Sequence, residues 1–149
     1  MSFINFGMQQ KLNNGVIVGD VSFMYKLVEC NPQLNVVVLT SYVEKYPGLK
    51  TRWCVGLCQI YENLAKNNDP NTLFIIDEIP TGLKDDSCYD LLDCIYKATG
   101  SCLIFFKSID EMDKYPIVLD FTCYVDEDSE TCCLQLMYFE KDSATTFTI

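Results

Sequence analysis

Four short apolar runs punctuate the first two thirds of the chain, and turn residues follow each of them. The runs lie in "GVIVGD" at 15–20, "NVVVLTSY" at 35–42, "LFIIDEIP" at 73–80 and "SCLIFFKS" at 101–108. Continuous apolar runs of this length are typical of strands that are buried on both faces of a parallel sheet. We therefore predict four parallel strands as the core of the fold.

Three helices are predicted between these strands. The first lies in "VSFMYKLVEC" at 21–30 and ends before Pro32. The second covers 50–66, where one apolar stripe consists of Trp53, Leu57, Ile60, Tyr61 and Leu64. The third begins at a capping box formed by Ser87 and Asp90. This alternation of strands and helices is the order of an α/β protein.

The pattern changes after Pro116. Two strand-like runs, "IVLDFTCYV" at 117–125 and "TCCLQLMYF" at 131–139, flank an acidic turn at 126–130, and "TTFTI" at 145–149 is a further edge element. We predict antiparallel hairpins that are appended to the parallel core. The expected fold is thus one α/β domain over 1–149, with a mainly parallel sheet flanked by helices and C-terminal antiparallel hairpin strands.

Composition limits the chemistry. With 149 residues, 49% of them hydrophobic, the chain has the size and composition of one globular domain, and we expect it to be soluble and intracellular. It has no histidine, so the commonest general base and the usual catalytic triads are missing. Its nine cysteines include no C-x-x-C pair, and we interpret them as reduced and buried rather than as zinc ligands. We expect no enzyme activity, no cofactor and no metal.

The net charge of −10 argues against a large nucleic-acid footprint, which needs clustered cations. Lys45, Lys50 and Arg52 form a weak cationic patch near a predicted turn, and we interpret it as solvated surface. We therefore expect little DNA binding by this chain alone.

One segment carries candidate chemistry. In "NTLFIIDEIPTG" at 71–82, Asp77 and Glu78 follow a buried strand directly. The carboxyl ends of parallel strands are where α/β folds bind ligands, and in phosphate-binding ATPases an aspartate in this place helps to hold Mg²⁺. One carboxylate pair without a phosphate cradle binds Mg²⁺ poorly, so we interpret Asp77 as structural.

The order of elements resembles the RecA-like ATPase core, in particular the recombinase paralogues that assist the eukaryotic strand-exchange recombinase. "LFIIDEIP" is similar to the family's Walker B strand, with Asp77 at the metal-holding position, and "CCLQLMYFEKDSATTFTI" at 132–149 is similar to its closing hairpin. The phosphate loop, G-x-x-x-x-G-K-[ST], is degenerate. Only Gly19 and Lys26 remain in "VIVGDVSFMYKLV" at 16–28, where bulky residues fill the loop and no Ser or Thr follows the lysine.

Other departures from the family pattern point the same way. Thr40, Ser41 and Tyr42 stand where family ATPases carry the acidic residue that orients water. Tyr138, Phe139 and Glu140 replace the basic residues of the closing hairpin, which leaves Lys141 alone. The resemblance thus implies a subunit that has lost both its ATPase chemistry and its DNA contacts.

The function that the resemblance implies is a non-catalytic subunit in homologous recombination DNA repair in the nucleus. It would form a heterodimer with a larger RecA-like recombinase paralogue and remodel or stabilise recombinase filaments on single-stranded DNA. RecA-like domains associate around the edge that carries the nucleotide site. We therefore predict partner contacts at Asp77, Glu78 and Ile79, which we expect at the exposed end of their strand.

Three alternatives stay open at this point. In the first, the domain is a divergent RecA-like NTPase that uses a different loop or residues donated by a partner. In the second, it is a RecA-like subunit of a ring assembly such as the Elongator accessory hexamer, which acts in transfer-RNA modification. In the third, it is a receiver domain with Asp77 as phospho-acceptor, although only Asp20 is available near the first strand for the acidic pair that a receiver needs.

Overall fold

The computed structural model of the chain describes residues 14–80 and 82–125, together with the backbone of 126, 133–138 and 143–148. The strands are β1 (Gly15–Val18), β2 (Asn35–Thr40), β3 (Thr51–Trp53), β4 (Thr72–Asp77), β5 (Ser101–Phe106), β6 (Phe121–Asp126), β7 (Cys133–Tyr138) and β8 (Ser143–Thr148). The helices are α1 (Ser22–Cys30), α2 (Leu57–Lys66), α3 (Asp85–Lys97) and α4 (Ile109–Met112). A short 3-10 helix covers Val43–Lys45.

The strands form one sheet in the order β3-β2-β4-β5-β1-β6-β7-β8. From β3 to β6 in this order, all neighbouring strands are parallel. The backbone of β7 and β8 continues the sheet in antiparallel pairing. The predicted α/β class, with a parallel sheet flanked by helices, is therefore confirmed.

Helices cover both faces of the sheet, as the alternation along β4 demonstrates. Phe74 and Ile76 pack in a core with α2 and α3, whereas Leu73 and Ile75 pack in a second core with α1. A strand that is buried on both faces needs an apolar residue at every position. This is why β2, β4 and β5 read as unbroken apolar runs in the sequence.

The parallel part of the sheet is larger than predicted, because β6 belongs to it. This strand pairs parallel with β1, from Gly15 opposite Phe121 to Val18 opposite Tyr124. The prediction that 117–125 forms only an antiparallel hairpin strand was wrong. The chain between β5 and β6 contains α4, so it forms the long crossover that parallel pairing requires.

The predicted helix over 50–66 was wrong in its first part. Thr51–Trp53 forms the edge strand β3, and the helix begins only at Leu57. Gly56 is extended, with φ −146° and ψ 175°, and separates the two elements. Trp53 continued the apolar stripe in the sequence, yet 61% of its surface is exposed. Ile60 and Leu64 are buried, so the stripe is correct from the helix start onward.

The start of α3 also differs from the prediction. The helix begins at Asp85, so Ser87 lies in its first turn and forms no capping box. Asp85 and Asp86 occupy this turn, where negative charge interacts favourably with the helix dipole.

Strand order excludes the receiver alternative. Receiver domains have the flavodoxin-like order 2-1-3-4-5, in which the first strand lies between the second and the third. Here β5 and β6 flank β1, and β4 lies between β2 and β5. Predictions that concern the acidic turn at 127–130 and the closing loop at 139–141 lie outside the described residues.

Candidate functional site at the carboxyl edge of the sheet

The predicted site residues lie where the parallel strands β2, β4 and β5 end. Asp77 is the last residue of β4, and Glu78 and Ile79 follow it. Thr40 ends the neighbouring strand β2. Lys107 follows β5 on the other side of β4. Because the strands are parallel, these positions meet at one edge of the sheet.

Asp77 is held by groups of the chain itself. Its side chain is 1% exposed, and the Thr40 hydroxyl donates a hydrogen bond of 3.1 Å to its Oδ2 atom. The same hydroxyl accepts a hydrogen bond of 3.0 Å from the Tyr42 backbone N–H. The Lys45 ammonium lies 3.9 Å from Asp77 Oδ2. A buried carboxylate needs such donors and a counter-charge to remain in the fold.

Tyr46 adds a third side chain to this cluster. It is fully buried, and burial together with the neighbouring Asp77 carboxylate raises the pKa of its hydroxyl, which therefore stays neutral. Among the described residues, neither the Tyr46 hydroxyl nor Asp77 Oδ1 makes a hydrogen bond of good geometry. The Tyr46 hydroxyl is nevertheless near enough to the Asp77 carboxylate for the carboxylate to raise its pKa.

Lys45 provides the positive charge that a metal ion would supply in an ATPase. Its ammonium lies beside Asp77 and 5.6 Å from the centre of the Tyr46 ring. Within the described part of the chain, no group of three or more Cys, Asp or Glu side chains is arranged to hold a metal. In this cluster, Thr40 and Lys45 both contact Asp77 Oδ2.

Glu78 is the exposed residue of the predicted partner site. Its φ of 61° lies in the left-handed region, which is unfavourable for a residue with a side chain. Its carboxylate forms an ion pair of 3.0 Å with Lys107, and this hydrogen bond raises the pKa of the lysine. Backbone strain of this kind persists only where the surrounding structure imposes it. The structure around Glu78 therefore fixes the backbone conformation at this edge of the sheet.

The expected exposure of Asp77 and Ile79 was wrong. Asp77 is 4% exposed and Ile79 is also 4% exposed. The left-handed turn at Glu78 directs Ile79 back into the core that α2 and α3 form with the sheet. Of the three residues predicted to contact a partner, only Glu78 is therefore accessible in the isolated chain.

Two clefts flank the segment that contains Glu78 and Ile79. One has a volume of about 290 Å³ and lies toward Ser41, Tyr42 and Gly56, and the other has about 190 Å³ and lies toward Lys107 and Tyr115. Pockets for small molecules generally have roughly 300–1,000 Å³. The larger cleft is at the lower end of this range, and the smaller one is below it.

The connection between β1 and α1, where the sequence was compared with a phosphate loop, is compact. Only residues 19–21 connect β1 to α1, and the Gly19 N–H donates a hydrogen bond of 3.0 Å to the Phe106 carbonyl. The Asp20 carboxylate accepts a 2.7 Å bond from the Val21 N–H at the start of α1. Lys26 lies in the second turn of the helix, beyond this connection. The first turn of α1 therefore faces a carboxylate, which repels phosphate.

Gly19 has a packing role at this position. A Cβ atom on Gly19 would lie 2.8 Å from the Cβ atom of Val125 on β6. A glycine here is explained by the close approach of β6, without any ligand.

Sequence reasoning missed Tyr46 and Lys107 as members of the site. Lys107 carried a usable signal, since it follows a buried parallel strand just as Asp77 does. Tyr46 carried none, because it lies outside the strands and reaches Asp77 only through the fold of the connection between β2 and β3.

Comparison with known proteins adds no relative. Neither the models of known protein families nor the curated proteins give a match to this chain.

Among the described residues, the helices are all too short or too polar to cross a membrane.

Proposed function

We propose that this chain is a non-catalytic RecA-like subunit that acts through protein contacts in homologous recombination. In this proposal it pairs with a larger recombinase paralogue in the nucleus, and the pair remodels or stabilises recombinase filaments on single-stranded DNA. The C-terminal antiparallel strands are then the closing hairpin of the RecA-like domain. The function rests on the resemblance in sequence, and the geometry supports its non-catalytic character.

The observation that carries the non-catalytic character is the connection from β1 to α1. A phosphate loop needs enough glycine-rich backbone to surround phosphate with N–H groups. Three residues connect the two elements here, and the exposed Asp20 carboxylate lies at the start of the helix. This connection leaves neither the length nor the charge that a phosphate site requires.

The environment of Asp77 supports the same proposal. In a Walker B site the aspartate acts through Mg²⁺. In this chain the Thr40 hydroxyl and the Lys45 ammonium engage Asp77 Oδ2, and the buried Tyr46 lies beside the carboxylate. A lysine that has replaced the metal is consistent with a RecA-like domain that has lost nucleotide and kept its fold.

The strand order is a further support. Six strands form an all-parallel sheet in the order β3-β2-β4-β5-β1-β6, and helices flank it. This architecture is consistent with a RecA-like α/β fold, and fold by itself does not specify function.

We predict that nucleotide does not stabilise the purified chain. A ligand present at about 1,000 times its Kd adds ~4 kcal/mol to the free energy of unfolding, which raises the Tm of a chain of this size by roughly 10 °C. Differential scanning calorimetry with millimolar Mg²⁺-ATP should show no such shift. The Lys26→Ala variant should match the wild type with and without nucleotide. A rise of several degrees that Lys26→Ala abolishes would overturn the non-catalytic proposal.

We also predict that Glu78 contributes to partner binding. The Glu78→Lys variant should recover much less partner than the wild type in affinity purification from native cells. Its unfolding midpoint should change little, because exposed ion pairs contribute about 1 kcal/mol at most. Asp93→Lys is the matched control, since it reverses the acidic member of another exposed ion pair, on α3.

The proteins that co-purify decide between the proposal and its nearest alternative. A larger RecA-like paralogue together with the recombinase is the expected result. Recovery of the subunits of a transfer-RNA modification ring would overturn the recombination role. Equal recovery with Glu78→Lys and wild type would place the interface elsewhere.

A further inference from the structure

The outer edge of β3 is a second surface with unusual properties. β3 ends the strand order, and among the described strands it pairs with β2 alone. On the side of β3 that faces β2, the Val38 N–H donates to the Lys50 carbonyl and the Cys54 N–H donates to the Thr40 carbonyl. Because backbone groups alternate along a parallel strand, those of Thr51 and Trp53 point away from the sheet. An unprotected edge of this kind is a template for another strand.

Large apolar side chains surround this edge. Trp53 is 61% exposed and Tyr42 is 54% exposed, and Val43 and Val55 are exposed beside them in the sequence. We call these four residues the edge patch. Exposed tryptophan and tyrosine are the residues that most often dominate binding energy in protein interfaces. Single exposed apolar residues are ordinary, whereas a group at a free strand edge is not.

The charge beside the edge patch is positive, in a chain that carries 21 acidic and 11 basic residues. Lys50 and Arg52 bond to neutral side-chain amides, at 3.1 Å to Asn35 and 2.9 Å to Asn63. Elsewhere, Lys97, Lys107 and Lys114 have acidic partners. Within the described part of the chain, neither Lys50 nor Arg52 has a carboxylate partner. Both cations are held in place by these amides.

We propose that the β3 edge binds an extended acidic segment of a partner protein by strand addition. The backbone of the segment pairs with Thr51 and Trp53, its acidic side chains face Lys50 and Arg52, and the edge patch covers its apolar side chains. This surface rests on the edge strand alone, so it stands whether or not the chain is a RecA-like subunit.

Charge favours this occupant over two others. A second copy that paired through its own β3 would bring two Lys50 and two Arg52 side chains together, and these would repel each other. Nucleic acid requires neutralisation of many phosphates, and two cations on a chain of net charge −10 supply little of it. An acidic peptide strand uses the backbone edge, the aromatic side chains and the cations at once.

The chain contains a direct reporter of this surface, because Trp53 is its only tryptophan. The full chain is titrated with a short synthetic peptide of alternating Glu with Val or Thr. Strand addition should bury the indole and shift its emission to shorter wavelength in a saturable way. The same peptide with Lys in place of Glu should bind about tenfold more weakly. A Glu peptide with alternate backbone amides methylated should not bind, because it cannot donate to the edge.

Variants make the test specific. Lys50→Glu combined with Arg52→Glu should reverse the preference, so that the Lys peptide binds more tightly than the Glu peptide. Lys84→Glu combined with Lys114→Glu changes the net charge equally, away from β3, and should keep the wild-type preference. Tyr42→Ser should weaken the Glu peptide severalfold while Trp53 still reports binding.

Several outcomes would overturn the proposal. Absence of a shift with the Glu peptide, or equal affinity for both peptides, would remove the acidic partner. Dimerisation in sedimentation equilibrium that buries Trp53 without peptide would make a second copy the occupant. Tighter binding of oligodeoxythymidine than of the Glu peptide would make the surface a nucleic-acid site.

Discussion

The Ile79→Asp variant should lose roughly 3 kcal/mol or more of its free energy of unfolding. Ile79 is 4% exposed and packs in the core shared by the sheet, α2 and α3. A carboxylate at this position replaces an apolar side chain of the core and loses its hydration, and buried charges are among the most destabilising substitutions. Since domains are stable by only about 5–15 kcal/mol, much of the chain should be unfolded at moderate denaturant.

Urea denaturation followed by circular dichroism measures this effect. Ile79→Val is the control, because it keeps an apolar side chain and should cost only about 1 kcal/mol. An unchanged unfolding midpoint for Ile79→Asp would place the side chain in solvent, as the sequence suggested. The result also governs the partner experiment, since loss of partner with Ile79→Asp would report unfolding. For this reason Glu78, whose side chain is 44% exposed, is the residue that tests the interface.

The Gly19→Val variant should be destabilised by roughly 2–3 kcal/mol, which is the usual cost of overpacking. A Cβ at this position approaches Val125 to 2.8 Å, and a valine adds two methyl groups beyond it. The combination with Val125→Gly should recover part of the loss, because it removes the Cβ atom that a side chain at position 19 would meet. If the glycine served a phosphate site, the second substitution would restore nothing.

Urea denaturation of the two single variants and the double variant gives the coupling energy between the positions. The wild type is the fourth corner of this cycle. Gly56→Ser is a separate control, because no atom lies within 4 Å of a Cβ at Gly56 and serine is favoured before a helix. It should change stability little. Additive losses in the double variant would show that Gly19 and Val125 do not compete for space.

Asp77, Glu78 and Ile79 illustrate the limit of sequence reasoning at the site. The segment "IIDEIP" correctly predicted Asp77 and Glu78 at the end of a buried strand, because both residues follow its apolar run directly. The direction of Ile79 depends on the left-handed φ of Glu78, which no residue preference predicts for a glutamate. The counter-charge of Asp77 comes from Lys45, which is distant in sequence and belongs to another connection.

The prediction for the β3 region was wrong for a different reason. Trp53 fits the helical stripe of α2 in spacing, and a three-residue strand is too short to show a period of two. Residues 51–53 form a strand because they pair with Val38, Leu39 and Thr40 on β2. A pairing of this kind is a long-range contact, and local propensity carries no information about it.

The sequence by itself determined the α/β class, because strands buried on two faces must be apolar at every position, and it determined that no intact phosphate loop or histidine chemistry is present. Tertiary structure alone decided the strand order, the parallel pairing of β6, the burial of Ile79 and the cluster of Lys45 and Tyr46 around Asp77. The physical reason is that hydrophobic patterning specifies which face of an element is buried, whereas the neighbours of that face depend on the crossovers between strands. The sequence placed Asp77 at a position similar to a Walker B aspartate, where we interpreted it as structural, and only the fold shows that Lys45 is its counter-charge.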